Sequence, residues 1–131
     1  MIQEEKQLLL VDLCGRLPYG VIVQHKSREK KYNVVLSYGN ISYVSQLGEG
    51  WWSECKPYLR PMSSMTEDEL QRYHELCDVD EAVGVGSSIE IIAVHDTPKS
   101  LDYLNSIHVD YRGLIPKGIA IEVTEDNNPY K

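Results

Sequence analysis

The alternation of apolar and polar residues predicts five β-strands. The first two flank a charged turn at residues 26–31, and Gly39-Asn40 is a tight-turn signal before the third, so these three are expected to form an antiparallel meander. Two further strands are predicted in the second half of the chain. The five predicted strands are Tyr19–His25, Tyr32–Tyr38, Ile41–Gln46, Ile89–His95 and Ile119–Val123.

Helical periodicity and capping residues predict three helices. Ile2 to Cys14 has a broad apolar stripe, and Gly15 is the expected stop. Thr66 is followed three residues later by Glu69, which is a capping box, and the proline of Thr97-Pro98 suits the first turn of another helix. The second helix is expected to run to about Cys77. The positions expected to be buried are Leu70, Tyr73 and Cys77 in the second helix, and Leu101, Leu104 and His108 in the third.

The segments between these elements lack periodicity. Residues 48–65, with two prolines and two glycines, predict a long irregular loop, and residues 78–85 predict an acidic link. The whole pattern favours an α+β fold in which helices cover one largely antiparallel sheet. We expect a single domain over residues 1–125 and a polar tail over residues 126–131.

Charge is distributed unevenly along the 131 residues. Residues 1–61 hold eight Lys/Arg and six Asp/Glu, whereas residues 62–131 hold five and fourteen, giving the net charge of -7. A protein this acidic is a poor generic binder of phosphate backbones. The three cysteines lack metal or redox spacing, and the N-terminal apolar run is too short for a membrane span and is preceded by acids. We therefore expect a cytoplasmic protein with no metal, no cofactor and no membrane partner.

Adjacent tryptophans in the long loop indicate a surface for another protein. Trp51 and Trp52 lie between a glycine and a serine, and at least one of two adjacent tryptophans is expected to be only partly buried. Exposed aromatic residues in loops are typical of surfaces that bind a partner. Tyr58 and Arg60, later in the same loop, complete the predicted partner-binding set. The leading hypothesis is a non-enzymatic protein-interaction module. One ring capping the sheet edge is the structural alternative.

A basic hairpin supports a second hypothesis, a small nucleic-acid-binding accessory protein. Its candidate phosphate contacts are Lys26, Arg28, Lys30 and Lys31, and tyrosines on the adjoining strands could stack on bases. Net charge opposes this hypothesis, and a solvated turn is the alternative interpretation.

The third hypothesis is an enzyme, hydrolase-like or metal-dependent, centred on HVDYRGLIPKG at residues 108–118. His108 could act as a general base or metal ligand, Asp110 could orient it, Arg112 could hold an anion, and Tyr111 completes the polar cluster. The alternative is a corner between a helix and a strand, which the sequence favours. A metal set built on His74 and Cys77 and a nucleophilic Cys55 are weaker candidates for chemistry.

Three phrases resemble an uncharacterised family of small gut-bacterial proteins encoded in prophages and other mobile elements. They are LCGRLPYGV at 13–21, KPYLRPMSSMT at 56–66 and DYRGLIPKG at 110–118. The resemblance runs from the first helix to the last strand. It implies an intracellular, phage-related context and no established activity, so it assigns no catalytic residues.

Overall fold

The computed structural model describes residues 3–27, 30–37, 55–83 and 89–130. Its helices are α1 (Gln3–Arg16), α2 (Glu67–Leu76) and α3 (Pro98–Ser106), with short 3-10 turns at Leu17–Tyr19 and Met62–Ser64. Its strands are β1 (Ile22–Ser27), β2 (Lys30–Val35), β3 (Cys55–Pro61), β4 (Asp78–Val83), β5 (Ile89–His95), β6 (Val109–Asp110) and β7 (Ile121–Glu122). The predicted α+β class is confirmed.

Five of these strands form one mixed sheet. β1 is central to its antiparallel part and pairs with β2 on one side and β3 on the other, while β6 and β7 each pair in parallel with a different part of β3. β4 and β5 form a separate antiparallel hairpin. The described strands therefore make two sheets, not the single sheet expected from the sequence.

The hydrophobic core lies between α1 and one face of the large sheet. Leu9 and Leu13 of α1 are fully buried, as are Cys55 and Leu59 of β3. The segment after β6 closes the core with Leu114, Ile119 and Ala120. None of the helices in the described ranges is both long and apolar enough to cross a membrane.

The prediction of an irregular loop over residues 48–65 is wrong for its second half. Residues 55–61 form β3, the strand to which β1, β6 and β7 all pair. Pro57 and Pro61 explain why the sequence did not predict this strand, because proline cannot donate a hydrogen bond to a β-ladder and usually argues against a central strand. Pro57 is nevertheless fully buried opposite Val23. The predicted third strand, Ile41–Gln46, lies outside the described residues.

The prediction that α1 stops at Gly15 is also wrong. The helix continues to Arg16, and the chain turns at Gly20, whose φ of 68° is the left-handed conformation expected of a terminating glycine. Gly15 serves packing instead, since a Cβ there would lie 3.2 Å from Asn105 Nδ2 on α3. Small size, rather than helix termination, explains this glycine.

Two further corrections concern the middle of the chain. Residues 78–83 form β4, although their acidic composition predicts a link. The capping box of α2 is confirmed, with Glu69 N–H donating to Thr66 Oγ1 and Thr66 N–H donating to Glu69, but no residue of α2 is buried and Leu70 is exposed. α2 therefore lies on the outside of the molecule.

The C-terminal part departs from its prediction in two ways. The final strand contains only Ile121 and Glu122, and His108 follows α3 rather than continuing its buried stripe. The α3 start at Thr97 and the burial of Leu104 are confirmed. Residues 124–130 are tied to the large sheet, because Asn127 donates to Glu122 O of β7 and the Tyr130 hydroxyl bonds to β1 and β3.

Candidate functional site

The corner at residues 108–112 connects α3 to the sheet. His108 adopts φ 62°, a conformation usual for glycine after a helix and more accessible to histidine than to most residues. Its N–H donates to Asn105 O, and its carbonyl accepts from Arg60 N–H of β3. This geometry directs the chain from α3 into β6.

Asp110 stabilises the turn that follows. It is buried, and its two carboxylate oxygens accept from the N–H groups of Leu114 and Ile115 at 3.0 and 2.9 Å. Both oxygens are therefore occupied by the backbone. In this arrangement Asp110 caps a turn and does not contact His108 as an orienting carboxylate would.

Arg112 belongs to a buried ion network that sequence reasoning did not find. Asp12 and Arg16, both fully buried on α1, form a bidentate pair with contacts of 2.7 and 3.1 Å, and Arg112 Nη1 donates to Asp12 at 3.1 Å. Arg16 also donates to Val109 O at 2.7 Å, while the Tyr111 ring lies under both guanidinium groups. The network joins α1 to the 108–112 corner.

A sequence signal for this network was present. Asp12 and Arg16 are separated by four positions and occupy the same helix face as Leu9 and Leu13. Opposite charges at that spacing are usually a surface pair. Here the apolar residues of the same face show that the pair faces the core.

The imidazole of His108 packs against the C-terminal segment. Its ring stacks on Tyr130 with centroids 3.9 Å apart and planes 9° apart. Burial, reinforced by the nearby charges of Arg16 and Arg60, lowers the pKa of His108 to about 4. His108 Nδ1 is buried and makes no hydrogen bond within the described chain. A neutral imidazole that stacks on Tyr130 and whose Nδ1 is buried fits a packing role, because general-base catalysis at Nδ1 needs substrate access to that nitrogen.

The Tyr130 hydroxyl bridges two strands where their ladder ends. It accepts from Ile22 N–H of β1 at 3.0 Å and donates to Tyr58 O of β3 at 2.8 Å. Burial raises the pKa of Tyr130 to about 12, so the hydroxyl remains protonated and able to donate. Tyr130 thus completes the bonding between β1 and β3, a role that the polar composition of residues 126–131 did not predict.

The weaker chemical candidates do not gather into a site. Among the described residues, no group of three His, Cys, Asp or Glu side chains is placed to hold a metal ion. The predicted metal set built on His74 and Cys77 is therefore not assembled there. Cys55 is fully buried in β3, and burial raises the pKa of its thiol to about 12. A nucleophilic cysteine requires the opposite, an accessible thiolate.

The predicted partner-binding residues divide into two groups. Trp51 and Trp52 lie outside the described residues. Tyr58 is buried, and its hydroxyl donates to Asn33 and accepts from Gln24. Arg60 makes a two-contact ion pair with Glu69, at 2.7 and 2.8 Å, which anchors α2 to β3 and lowers the pKa of Glu69 to about 2.

The β1–β2 ribbon is the exposed feature of the large sheet. Every residue of β2 is exposed, including three large apolar ones: Tyr32 at 47%, Val34 at 39% and Val35 at 56%. Because side chains alternate along a strand, Tyr32 and Val34 share one face and Val35 lies on the other. β2 is also the terminal strand of the described sheet path. Exposed apolar side chains grouped on one strand are characteristic of a docking surface.

The same ribbon carries the basic cluster predicted from the sequence. Lys30 and Lys31 are exposed at the start of β2, and the backbone register places Lys31 opposite Lys26. Arg28 lies outside the described residues. The described lysines therefore place positive charge at one end of an apolar and aromatic strand.

The fold and these sites define an α+β protein with an enclosed polar cluster and an exposed basic and apolar ribbon. Comparisons with protein-family models, curated proteins and solved structures found no match for the chain. The resemblance to an uncharacterised family of small proteins encoded in prophages and other mobile elements therefore stays a prediction.

Proposed function

We propose that the protein is a non-enzymatic interaction module that binds another protein through the β1–β2 ribbon. The observation that carries the proposal is the exposure of every residue of β2, which presents Tyr32, Val34 and Val35 to solvent. By contrast, the polar residues of the 108–112 corner are engaged within the fold: Arg112 pairs with Asp12, Asp110 accepts from the backbone, and His108 stacks on Tyr130. The chain thus offers an accessible surface at the ribbon rather than a substrate site at the corner.

The side chains of β2 define the mode of binding that suits this surface. Apolar side chains that project from both faces of an exposed strand can pack against another protein, and their alternation selects among partners. Tyr32 and Val34 can contact apolar residues of the partner on one face, while Val35 contacts them on the other. We infer that the partner supplies an apolar surface.

Charge defines the partner further. Lys30 and Lys31 are exposed beside the apolar residues, so a partner with acidic residues beside its apolar surface is favoured. Such charges raise the rate of association and set its orientation more than they add to affinity. The proposed partner is therefore a protein with an acidic and apolar surface.

Nucleic-acid binding is the second candidate, supported by the same ribbon. Lysines next to an exposed tyrosine are suited to phosphate contact and base stacking. The net charge of -7 opposes it, because the remainder of the protein repels a polyanion. Anisotropy of a labelled single-stranded oligonucleotide tests this candidate: salt-sensitive binding that weakens in a Lys30→Gln/Lys31→Gln variant would favour it over a protein partner.

A matched pair of valines tests the leading proposal. Val35 on β2 and Val11 on α1 are each 56% exposed, so Val35→Asp and Val11→Asp make the same chemical change at equal exposure. Proteins captured from the source cells by the two variants and the wild type are compared by quantitative mass spectrometry. We expect a directly bound protein to be lost with Val35→Asp and retained with Val11→Asp. Equal retention by both variants contradicts the proposal.

The cellular setting is proposed from the resemblance alone. A prophage or mobile-element origin and a cytoplasmic location fit an interaction module that acts on proteins of its host. Genes of phage type beside the coding sequence would support this origin, and their absence would oppose it.

A further inference from the structure

The outer face of α2 carries an open groove. The residues that line it recur at helical spacing on one side of the helix: Glu67, Leu70, Gln71, His74 and Glu75. The groove has a volume of about 480 Å³, and Leu70 within it is 41% exposed. An exposed apolar residue in a groove is suited to receive a side chain from another molecule.

The charge of this α2 groove is negative. Glu67 makes no ion pair within the part of the chain that the structure describes, whereas Glu75 pairs with Arg72 of the same helix at 3.3 Å. The uncompensated acid therefore lies at the start of the groove, one turn of helix before Leu70. A partner that fits the groove brings a cation to Glu67 and an apolar or aromatic side chain to Leu70.

One face of β2 presents these groups in the required order. Lys30, Tyr32 and Val34 alternate along the strand, so they share a face, and all three are exposed. Lys30 makes no ion pair with any described residue. The strand covers about 13 Å from Lys30 to Val34, and the helix covers about 12 Å from Glu67 to Glu75. This face of β2 matches the groove in charge, apolar character and length.

We propose that the α2 groove of one copy of the protein receives this face of β2 from a second copy. The inference rests on the proposed function, because it uses the β1–β2 ribbon and names a second copy of the chain as its partner. Tyr32 is 47% exposed and Leu70 is 41% exposed in a single copy, so neither surface covers the other within the chain. The contact joins unlike surfaces, so it can repeat from copy to copy in a ring or a chain.

The ion pair already present on α2 selects the orientation of the contact. Because Glu75 is engaged within its own helix, Glu67 is the acid available to Lys30. With Lys30 at Glu67, Tyr32 lies about 7 Å further along β2 and Leu70 lies about 5 Å further along α2, so the ring meets the leucine. The charges set the orientation, and the aromatic contact contributes more of the affinity.

Charge reversal tests the ion pair. Lys30→Glu and Glu67→Lys are each expected to raise the dissociation constant of self-association about tenfold, and combining them in one chain is expected to restore it. The matched controls make the same changes at neighbouring exposed residues. Lys31→Glu lies on the opposite face of β2 and Asp68→Lys lies outside the groove lining, so both are expected to have a smaller effect. Equal effects of each variant and its control would overturn the proposed pairing.

Mixing two defective variants tests whether a ribbon meets a groove. Tyr32→Asp alters only the ribbon and Leu70→Asp alters only the groove, so each variant alone is expected to be monomeric. Their mixture still contains one intact ribbon and one intact groove, and we expect a complex of two chains, one of each variant. The wild type and Val11→Asp, a control at an exposed position of α1, are expected to assemble beyond one chain as concentration rises.

Sedimentation equilibrium over a wide range of protein concentration measures these masses, and circular dichroism checks that each variant is folded. A wild type that is monomeric at every concentration, or folded Tyr32→Asp and Leu70→Asp variants that stay monomeric when mixed, would overturn the inference. The proposed function is tested separately through capture of a different protein. If such capture is lost with Val35→Asp and the protein does not self-associate, the proposed function stands and only this inference is overturned.

Discussion

Replacing Tyr130 with phenylalanine tests whether the C-terminal segment completes the sheet. The substitution keeps the ring that stacks on His108 and removes only the hydroxyl that bridges Ile22 N–H and Tyr58 O. Both backbone groups then lose a partner at a position too enclosed for full solvation. A hydrogen bond contributes about 1 kcal/mol net, and an unsatisfied buried group costs about 1–3 kcal/mol. We expect the free energy of unfolding to fall by about 2 kcal/mol.

The assay is urea unfolding followed by far-UV circular dichroism, with thermal unfolding as a second measure. For a chain of this size, a loss of about 2 kcal/mol lowers the melting temperature by about 8 °C. Tyr32→Phe is the control, since it removes a hydroxyl from an exposed position of β2 and is expected to change stability by less than about 0.5 kcal/mol. The reasoning is refuted if Tyr130→Phe is as stable as Tyr32→Phe.

Three further results are expected from the buried groups. Asp12→Ala leaves Arg16 buried without its carboxylate and should lower the free energy of unfolding by about 3–5 kcal/mol. Glu75→Ala, the control, breaks an exposed pair with Arg72 and should lower it by less than about 1 kcal/mol in the same denaturation assay. His108 has its ordinary pKa of 6.5 in the unfolded chain and a pKa of about 4 in the folded chain, so the unfolded chain binds the proton first as the pH falls. The contribution of His108 to the free energy of unfolding should therefore be complete above pH 6.5 and be lost as the pH is lowered from 6.5 towards 4. The expected loss is about 1–2 kcal/mol after allowance for solvent screening. His108→Asn, which tolerates the same backbone conformation, should reduce this loss, and an unchanged pH profile would contradict the assignment. A thiol reagent should modify the exposed Cys14 of the folded protein but not Cys55, and mass spectrometry showing rapid modification of Cys55 would be inconsistent with its burial.

The sequence predicted the elements whose signals are local. Thr66 with Glu69 and Thr97 with Pro98 specify helix starts through contacts within four residues, and both starts are confirmed. The boundaries of β5, Ile89 to His95, are also as predicted, because an aliphatic run between turn residues has few other interpretations. The class of the fold followed from the order of these elements.

The elements that sequence reasoning missed depend on tertiary contacts. Pro57 argues against a central strand in the sequence, and only its pairing with Val23 shows that it lies in one. Gly15 suggests the end of a helix, but in the structure its small size allows Asn105 to approach α1. The acids of β4 are typical of a link until their pairing with β5 is seen. Long-range pairing of this kind has no signature in a short window of sequence.

The candidate site shows the same division. The polar residues at 108–112 were recognised as one cluster, and a structural corner was the favoured interpretation. Their partners, Asp12 and Tyr130, lie far away in the sequence, so neither the ion network nor the stack on His108 could be read from the motif. The lysines of the hairpin were identified, but the exposure of both faces of β2 became visible only in the structure.

Photo-crosslinking from β2 tests the central claim most directly. The photoreactive amino acid p-benzoylphenylalanine replaces Tyr32 in one variant and the exposed Val11 of α1 in another, and both are irradiated in the source cells. We predict a covalent adduct to a specific protein from position 32 that is absent from position 11. No adduct at position 32, an adduct to nucleic acid there, or the same adducts from both positions would contradict the account.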